Sequence, residues 1–131
     1  ISLGLVGSEM CIRDSIMEAH FEVESAEASV DSLIRRGLKF DGIVCASDQI
    51  ALGAVRALLH ANLLVPEDVS VIGFDNVPFS RYSRPALSTI AQDTMKAGRL
   101  LVSKLLDNSG DAVGRSERIP TDLIVRESCG G

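Results

Sequence analysis

Two carboxylates stand where apolar runs break into polar residues. Ile43-Val44-Cys45-Ala46 stops at Ser47-Asp48, and Val69-Ser70-Val71-Ile72-Gly73-Phe74 stops at Asp75-Asn76. An ionised carboxylate accepts two hydrogen bonds from neighbouring hydroxyl or amino groups, the donor pattern that sugars and nucleobases present. Asp75 leads into a loop, so ligand binding accounts for it better than helix capping does. Asp48 precedes a helical pattern and reads either as a helix N-cap or as a second ligand carboxylate.

Other chemistries lack their residues. A dinucleotide fingerprint needs a glycine-rich turn after the first strand, where this chain has Ser47-Asp48-Gln49, and neither a P-loop nor a Gly-x-Ser-x-Gly elbow occurs. Ser47 lies between a strand and a helix, yet it has no glycine neighbour and no evident His partner to activate it. His20 and His60 lack the spacing of a helical zinc site and read as surface or helix-end residues. Cys11, Cys45 and Cys129 are odd in number and contain no CxxC pair, which argues for a reducing compartment rather than a disulfide framework or a zinc site. Cys45, inside an apolar run, reads as a small buried hydrophobe. The expectation is a binding protein rather than an enzyme, with no metal and no cofactor.

The frame that positions the two carboxylates is strand, helix, strand. A βαβ crossover joins parallel strands, almost always right-handedly, and therefore sets Asp48 and Asp75 on one rim. Open α/β sheets bind ligands at that rim. The crossover helix spans 49–60, capped by Asp48 or Ser47, and its stripe of Ala51, Leu52, Val55, Leu58 and Leu59 is wide enough to cover a sheet with some surplus. Asn62 takes the position after the helix, and both strands read as near-continuous apolar runs, as expected of strands covered on both faces.

Upstream, residues 16–21 suggest a short strand, and Ser25 fits the N-cap of a helix carrying Ala26, Val30, Leu33 and Ile34 and ended by Gly37. Downstream, an irregular segment with Pro78 and Pro85 leads to Leu87-Ser88-Thr89-Ile90. Thr94 then caps a helix through Met95, Leu101, Val102, Leu105 and Leu106, which ends at the Asn108-Ser109-Gly110 turn. A last strand is expected at Asp122-Leu123-Ile124-Val125, before a loose Cys129-Gly130-Gly131 tail.

Composition narrows the partners. Thirteen Lys and Arg face eighteen Asp and Glu, for a net charge of −5, so this segment lacks the attraction to phosphate on which DNA binding depends. One Tyr, four Phe and no Trp supply few platforms for base stacking. No uninterrupted apolar run approaches the roughly 18–20 residues of a membrane span. Residues 1–15 (ISLGLVGSEMCIRDS) have no basic opening and no sustained apolar stretch, so they do not read as a signal peptide. They resemble translated adapter found at the ends of unrelated environmental fragments, and the expectation is a non-native leader at 1–15 followed by a partial domain at 16–131.

Three stretches together carry a family resemblance: Phe40-Asp41-Gly42-Ile43 through Ser47-Asp48-Gln49-Ile50-Ala51-Leu52-Gly53-Ala54, Val65-Pro66-Glu67-Asp68 through Gly73-Phe74-Asp75-Asn76, and Pro85-Ala86-Leu87-Ser88-Thr89-Ile90. They resemble the C-terminal effector-binding region of the lactose/galactose repressor (LacI/GalR) family. His20-Phe21-Glu22-Val23-Glu24-Ser25 and Leu123-Ile124-Val125-Arg126-Glu127-Ser128 extend the likeness toward both ends. The resemblance implies an α/β, periplasmic-binding-protein-like (type I) fold, of which this chain holds mainly one Rossmann-like parallel-sheet lobe. In such a protein two lobes close on a small molecule and alter a helix-turn-helix head, which lies outside this chain. The Thr94 helix then belongs with the other lobe, and its apolar face is left uncovered.

The same resemblance implies roles residue by residue. Asp75 matches a position that hydrogen-bonds effector, Phe21 an aromatic that packs on it, Ser47 a position that is often Asn, and Gln92 a polar residue by the cleft. Phe21 as core and Gln92 as surface connector are the alternatives. Family members usually dimerise through this lobe, and the surplus apolar residues Leu52 and Val55 on the crossover helix are candidates for that contact or, alternatively, pack under the sheet. Asn76 and Arg81-Tyr82 lean toward the purine-repressor branch, with sugar-responsive members close by. The implied whole is a cytoplasmic, homodimeric regulator that meets operator DNA through its missing head. The competing reading is a secreted sugar-binding protein of an uptake transporter.

Overall fold

Each apolar run becomes a strand and each 3.6-residue stripe a helix. A computed structural model describes residues 2–5, 16–20, 22–106 and 116–131. In chain order the elements are β1 Ser2–Leu5, β2 Ile16–Glu18, α1 Val23–Arg35, β3 Gly42–Val44, α2 Asp48–His60, β4 Ser70–Phe74, β5 Ser88–Gln92, α3 Thr94–Leu106 and β6 Thr121–Ile124. Short 3₁₀ helices occupy Pro78–Arg81 and Glu127–Cys129.

The six strands form one sheet in the order β2-β1-β3-β4-β5-β6. β3, β4 and β5 are parallel neighbours, with Val44 opposite Ile72 and Gly73 opposite Thr89. β1 is antiparallel to both β2 and β3, and β6 is antiparallel to β5. β2, β3, β4 and β5 therefore share one direction, and their C-terminal ends line a single edge. β1 departs from expectation: it comes from the segment set aside as leader, yet it fills the slot between β2 and β3. Pairing of this kind uses only backbone groups of β3, which any short extended run that reaches that side of the strand can engage.

α1 and α2 cover one face of the sheet and meet closely at Gly53, where an added Cβ would overlap the Val23 carbonyl oxygen and lie 2.7 Å from Ala26 Cβ. Val30, Leu33, Ile43, Ile50, Leu58, Val71 and Leu87 are fully buried beneath them. Burying a side chain of this size is worth about 1.5–3 kcal/mol. Along β4 the burial alternates, with Val71 and Gly73 turned to the helices. The other face is open, contrary to the expectation of strands covered on both sides, and Val44 is 42% exposed. α3 buries none of its residues, so no described helix covers that face.

Ends of elements show smaller differences. α1 begins at Val23 after Glu22, three residues earlier than a Ser25 cap would place it, and Ser25 Oγ instead accepts the His20 N–H at 3.0 Å. Asp93, not Thr94, caps α3, since its carboxylate accepts the Lys96 N–H at 2.8 Å. Gly37 and Asn62 hold the left-handed positions assigned to them, at φ 69° and 57°. The expected loose tail is folded back: Ser128 Oγ donates to Val71 O at 2.6 Å and accepts the Ser88 N–H at 2.8 Å, while Gly131 N–H donates to Arg126 O at 3.0 Å. The expected turn at Asn108-Ser109-Gly110 lies outside the described residues.

Candidate functional site

The shared edge of β2 to β5 gathers most of the residues singled out by their chemistry. Ser47 follows β3 with extended backbone, and its Oγ accepts the Ile50 N–H at 3.3 Å, so Ser47 is the cap of α2. Asp48 is thereby relieved of capping. Its side chain is completely buried: Oδ2 accepts the Val77 N–H at 2.8 Å and Oδ1 accepts the Thr89 hydroxyl at 2.6 Å. Burial pushes its carboxyl above the ordinary aspartate value, the Thr89 and Val77 hydrogen bonds pull the other way, and the charges of Asp75 and Arg126 oppose each other. The glycine of Gly73-Phe74-Asp75 has a specific cause here, because a Cβ at Gly73 would overlap Asp48 Oδ1.

Asp75 and Asn76 leave β4 with positive φ, 99° and 49°. Non-glycine residues pay about 1–3 kcal/mol for such backbone and keep it only where their surroundings impose it. Here three consecutive amides are tied down. Asp75 N–H donates to Ile90 O at 2.9 Å, Asn76 N–H to Thr89 Oγ1 at 3.2 Å, and Val77 N–H to Asp48 Oδ2 at 2.8 Å. The Asp75 carboxylate is exposed, and its Oδ1 accepts the Gln92 side-chain amide from the end of β5 at 2.9 Å. Asp75 and Gln92 are thus neighbours on the rim, while Ser47 and Asp48 lie beneath its surface. Arg126 braces the loop from behind: its guanidinium donates to Asn76 Oδ1 at 2.8 Å, Leu87 O at 2.6 Å and Ser80 Oγ at 3.1 Å.

Thr89 and Arg126 escaped attention in the sequence. Thr89 sits in an apolar strand run where a polar residue was a hint of an internal partner, and Arg126 carries no local motif at all. At the end of β2, Glu18, Ala19, His20 and Ser25 line an open cavity of about 300 Å³. Phe21, expected either to pack on effector or to join the core, lies outside the described residues. Of the two candidate interface residues, Val55 is 5% exposed and belongs to the core of this lobe, because it lies on the buried face of α2; Leu52 is half-buried. Among the described residues no group of His, Cys, Asp and Glu is arranged to hold a metal ion, and no helix is long and apolar enough to cross a membrane.

An exposed carboxylate oriented by a primary amide, on an edge whose backbone is fixed, presents acceptors suited to hydroxyl or amino donors. The periplasmic binding protein-like domain matches residues 8–129. The chain is 37% identical over 91 residues to the ribose operon repressor of Haemophilus influenzae, covering 70% of this chain and 27% of that protein. It is 38% identical over 98 residues to the HTH-type transcriptional repressor PurR of Aliivibrio salmonicida, covering 75% of this chain and 29% of that one. Among solved structures it superposes on the lac repressor dimer bound to operator and the anti-inducer ONPF with a TM-score of 0.79 and 30% identity, covering 86% of this chain and 34% of that chain. The chain spans roughly a third or less of the length of these relatives. It belongs to the periplasmic binding protein-like domain family, in the branch represented by LacI-family transcriptional regulators.

Proposed function

We propose that this chain is the effector-sensing part of a LacI-type repressor. A sugar or a purine-like molecule binds at the Asp75 rim, a second lobe supplies the rest of the cleft, and the occupied cleft controls operator binding through a helix-turn-helix head in the full-length protein. The observation that carries this reading is the Asp75–Gln92 pair, an exposed carboxylate held at 2.9 Å by an amide at the mouth of the parallel strands. The relatives named above are repressors, and one of them was solved with both operator and a small anti-inducer. Effector shifts operator affinity only to the extent that it binds one interlobe geometry better than the other.

The same reading assigns Ser47 an indirect contact, because its hydroxyl is already used as the α2 cap. Phe21 packs on the effector, and Leu52 contributes to a homodimer. The regulator works in the cytoplasm without catalysing a reaction, and residues 1–15 are a foreign leader. The test is calorimetric titration of the full-length regulator with D-ribose, lactose and hypoxanthine, repeated with Asp75→Asn. One probe class binds, and the variant loses about tenfold or more in affinity, as expected for a charge-assisted hydrogen bond. Equal affinity in the variant, or operator binding indifferent to every probe, refutes it.

A further inference from the structure

Asp48 is the one buried carboxylate among the described residues, and capping does not explain it, since Ser47 performs that task. Burying an ionised group is costly unless its oxygens are engaged, and a residue kept in such a place has a partner that needs it. Both of its partners bear on the segment around Asp75: Val77 lies in it, and Thr89 stands beside it on β5. Oδ2 takes the amide immediately after the left-handed pair, and Oδ1 takes the hydroxyl of Thr89, whose oxygen in turn accepts the Asn76 amide.

We propose that Asp48 and Thr89 are positioning residues that hold residues 75–77 in the turn presenting the Asp75 carboxylate at the rim. The consequence for effector rests on the reading of Asp75 given above; the geometry does not. A carboxylate suits the place because two donors converge on it, an N–H and an O–H, and it only accepts. Thr89 suits its own place because one hydroxyl both donates to Asp48 and accepts from Asn76, joining β5 to the loop. The absence of a Cβ at Gly73 is what lets the carboxylate lie across β4 to reach both. Removing either side chain frees an amide next to a residue whose backbone is strained. The turn then relaxes, and Asp75 moves off Gln92.

The experiment is amide hydrogen exchange by NMR on the 131-residue chain without effector, for the parent, Asp48→Ala, Thr89→Val and Thr89→Ser. Asp48→Ala accelerates exchange at Val77, and Thr89→Val, which keeps the shape of the side chain, accelerates it at Asn76. Each change is about tenfold or more, while Ile50 and Leu58 amides inside α2 stay as protected as in the parent. In both variants the Gln92 side-chain amide resonance moves toward its unbonded position, and Thr89→Ser restores the parent pattern. Unchanged exchange at residues 76 and 77, equal acceleration throughout α2, or a Gln92 resonance that does not move overturns the proposal. Thr89→Val decides the matter alone if Asp48→Ala does not fold. Because no effector is present, failure here leaves the effector reading standing, and failure of effector binding leaves this result standing.

Discussion

Replacing Gly73 with alanine puts one methyl group into the contact between α2 and β4. The added carbon would overlap Asp48 Oδ1 and lie 3.1 Å from Leu87 Cδ2 and 3.2 Å from Asp48 Cα. One of those atoms is backbone in the first turn of a helix, so the strain has two outlets. If the helix shifts, the cost is that of an overpacked core, about 1–3 kcal/mol. If the carboxylate swings aside, it abandons the Val77 amide and the Thr89 hydroxyl, and each lost hydrogen bond to a charged group costs about 1.5–3 kcal/mol. Both routes together put the loss near 3 kcal/mol, or a fall in Tm of about 10 °C for a domain of this size. Gly98→Ala is the matched control. Nothing lies within 4 Å of a Cβ at Gly98 in α3, so the substitution stabilises that helix by about 0.8–1 kcal/mol. Urea unfolding followed by circular dichroism measures both variants against the parent. Gly73→Ala within about 0.5 kcal/mol of the parent, a change usual at indifferent surface sites, refutes the placement of Asp48 against β4.

Asp48 also carries a pH signature. Burial raises its folded-state carboxyl above the ordinary aspartate value, in the presence of Asp75, Arg126 and the buried Cys45 thiol, so the folded chain binds the proton more tightly than the unfolded one. Between those two values the Asp48 contribution to stability falls as pH rises; the difference in unfolding free energy between the parent and Asp48→Asn therefore grows as pH is lowered through that window, and a flat difference sinks the argument. Cys45 is buried and its thiol is pushed up chiefly by that burial, with the Asp48 charge adding to it, so native chain treated with iodoacetamide at pH 8 labels Cys129 well before Cys45 by peptide mass spectrometry. Leu101 and Leu105 on α3 are 65% and 80% exposed; Leu101→Glu with Leu105→Glu lowers self-association in sedimentation velocity without lowering Tm, and a fall in Tm of several degrees would show that the face is packed.

What was legible in the sequence was whatever depends on local spacing. The βαβ frame, the Ser47 alternative for the α2 cap, the left-handed Gly37 and Asn62, and the common rim of Asp48 and Asp75 all follow from runs and breaks that neighbours in sequence decide. What was not legible depends on residues far apart. Arg126 reaches Asn76 across 50 positions, and Ser128 reaches Val71 across 57, so no window of sequence shows that the tail is fastened to the sheet. The continuous apolarity of β3 and β4 suggested cover on both faces, but apolar side chains report a preference for burial and not which element meets it. The true cap of α3 was missed by one residue because Asp93 and Thr94 are both good caps, and only the carboxylate of Asp93 reaches the Lys96 amide.

The residues that break local rules lie together on one edge. Asp48 is a buried charge, Asp75 and Asn76 are L residues in left-handed backbone, and Thr89 is a fully buried hydroxyl in a strand interior. Each alone would count against the stability of the lobe, yet no buried side-chain nitrogen or oxygen among the described residues lacks a partner, because each of these groups answers another. Elsewhere the core is made of ordinary parts, with Leu33, Ile43, Ile50, Leu58 and Leu87 fully buried. A fold that gathers several departures from local preference at one edge, and satisfies them internally, is spending stability to fix the position of something exposed. At this edge the exposed groups are the Asp75 carboxylate and the Gln92 amide, which is why the network beneath them is read as the support of a recognition site and not as an accident of packing.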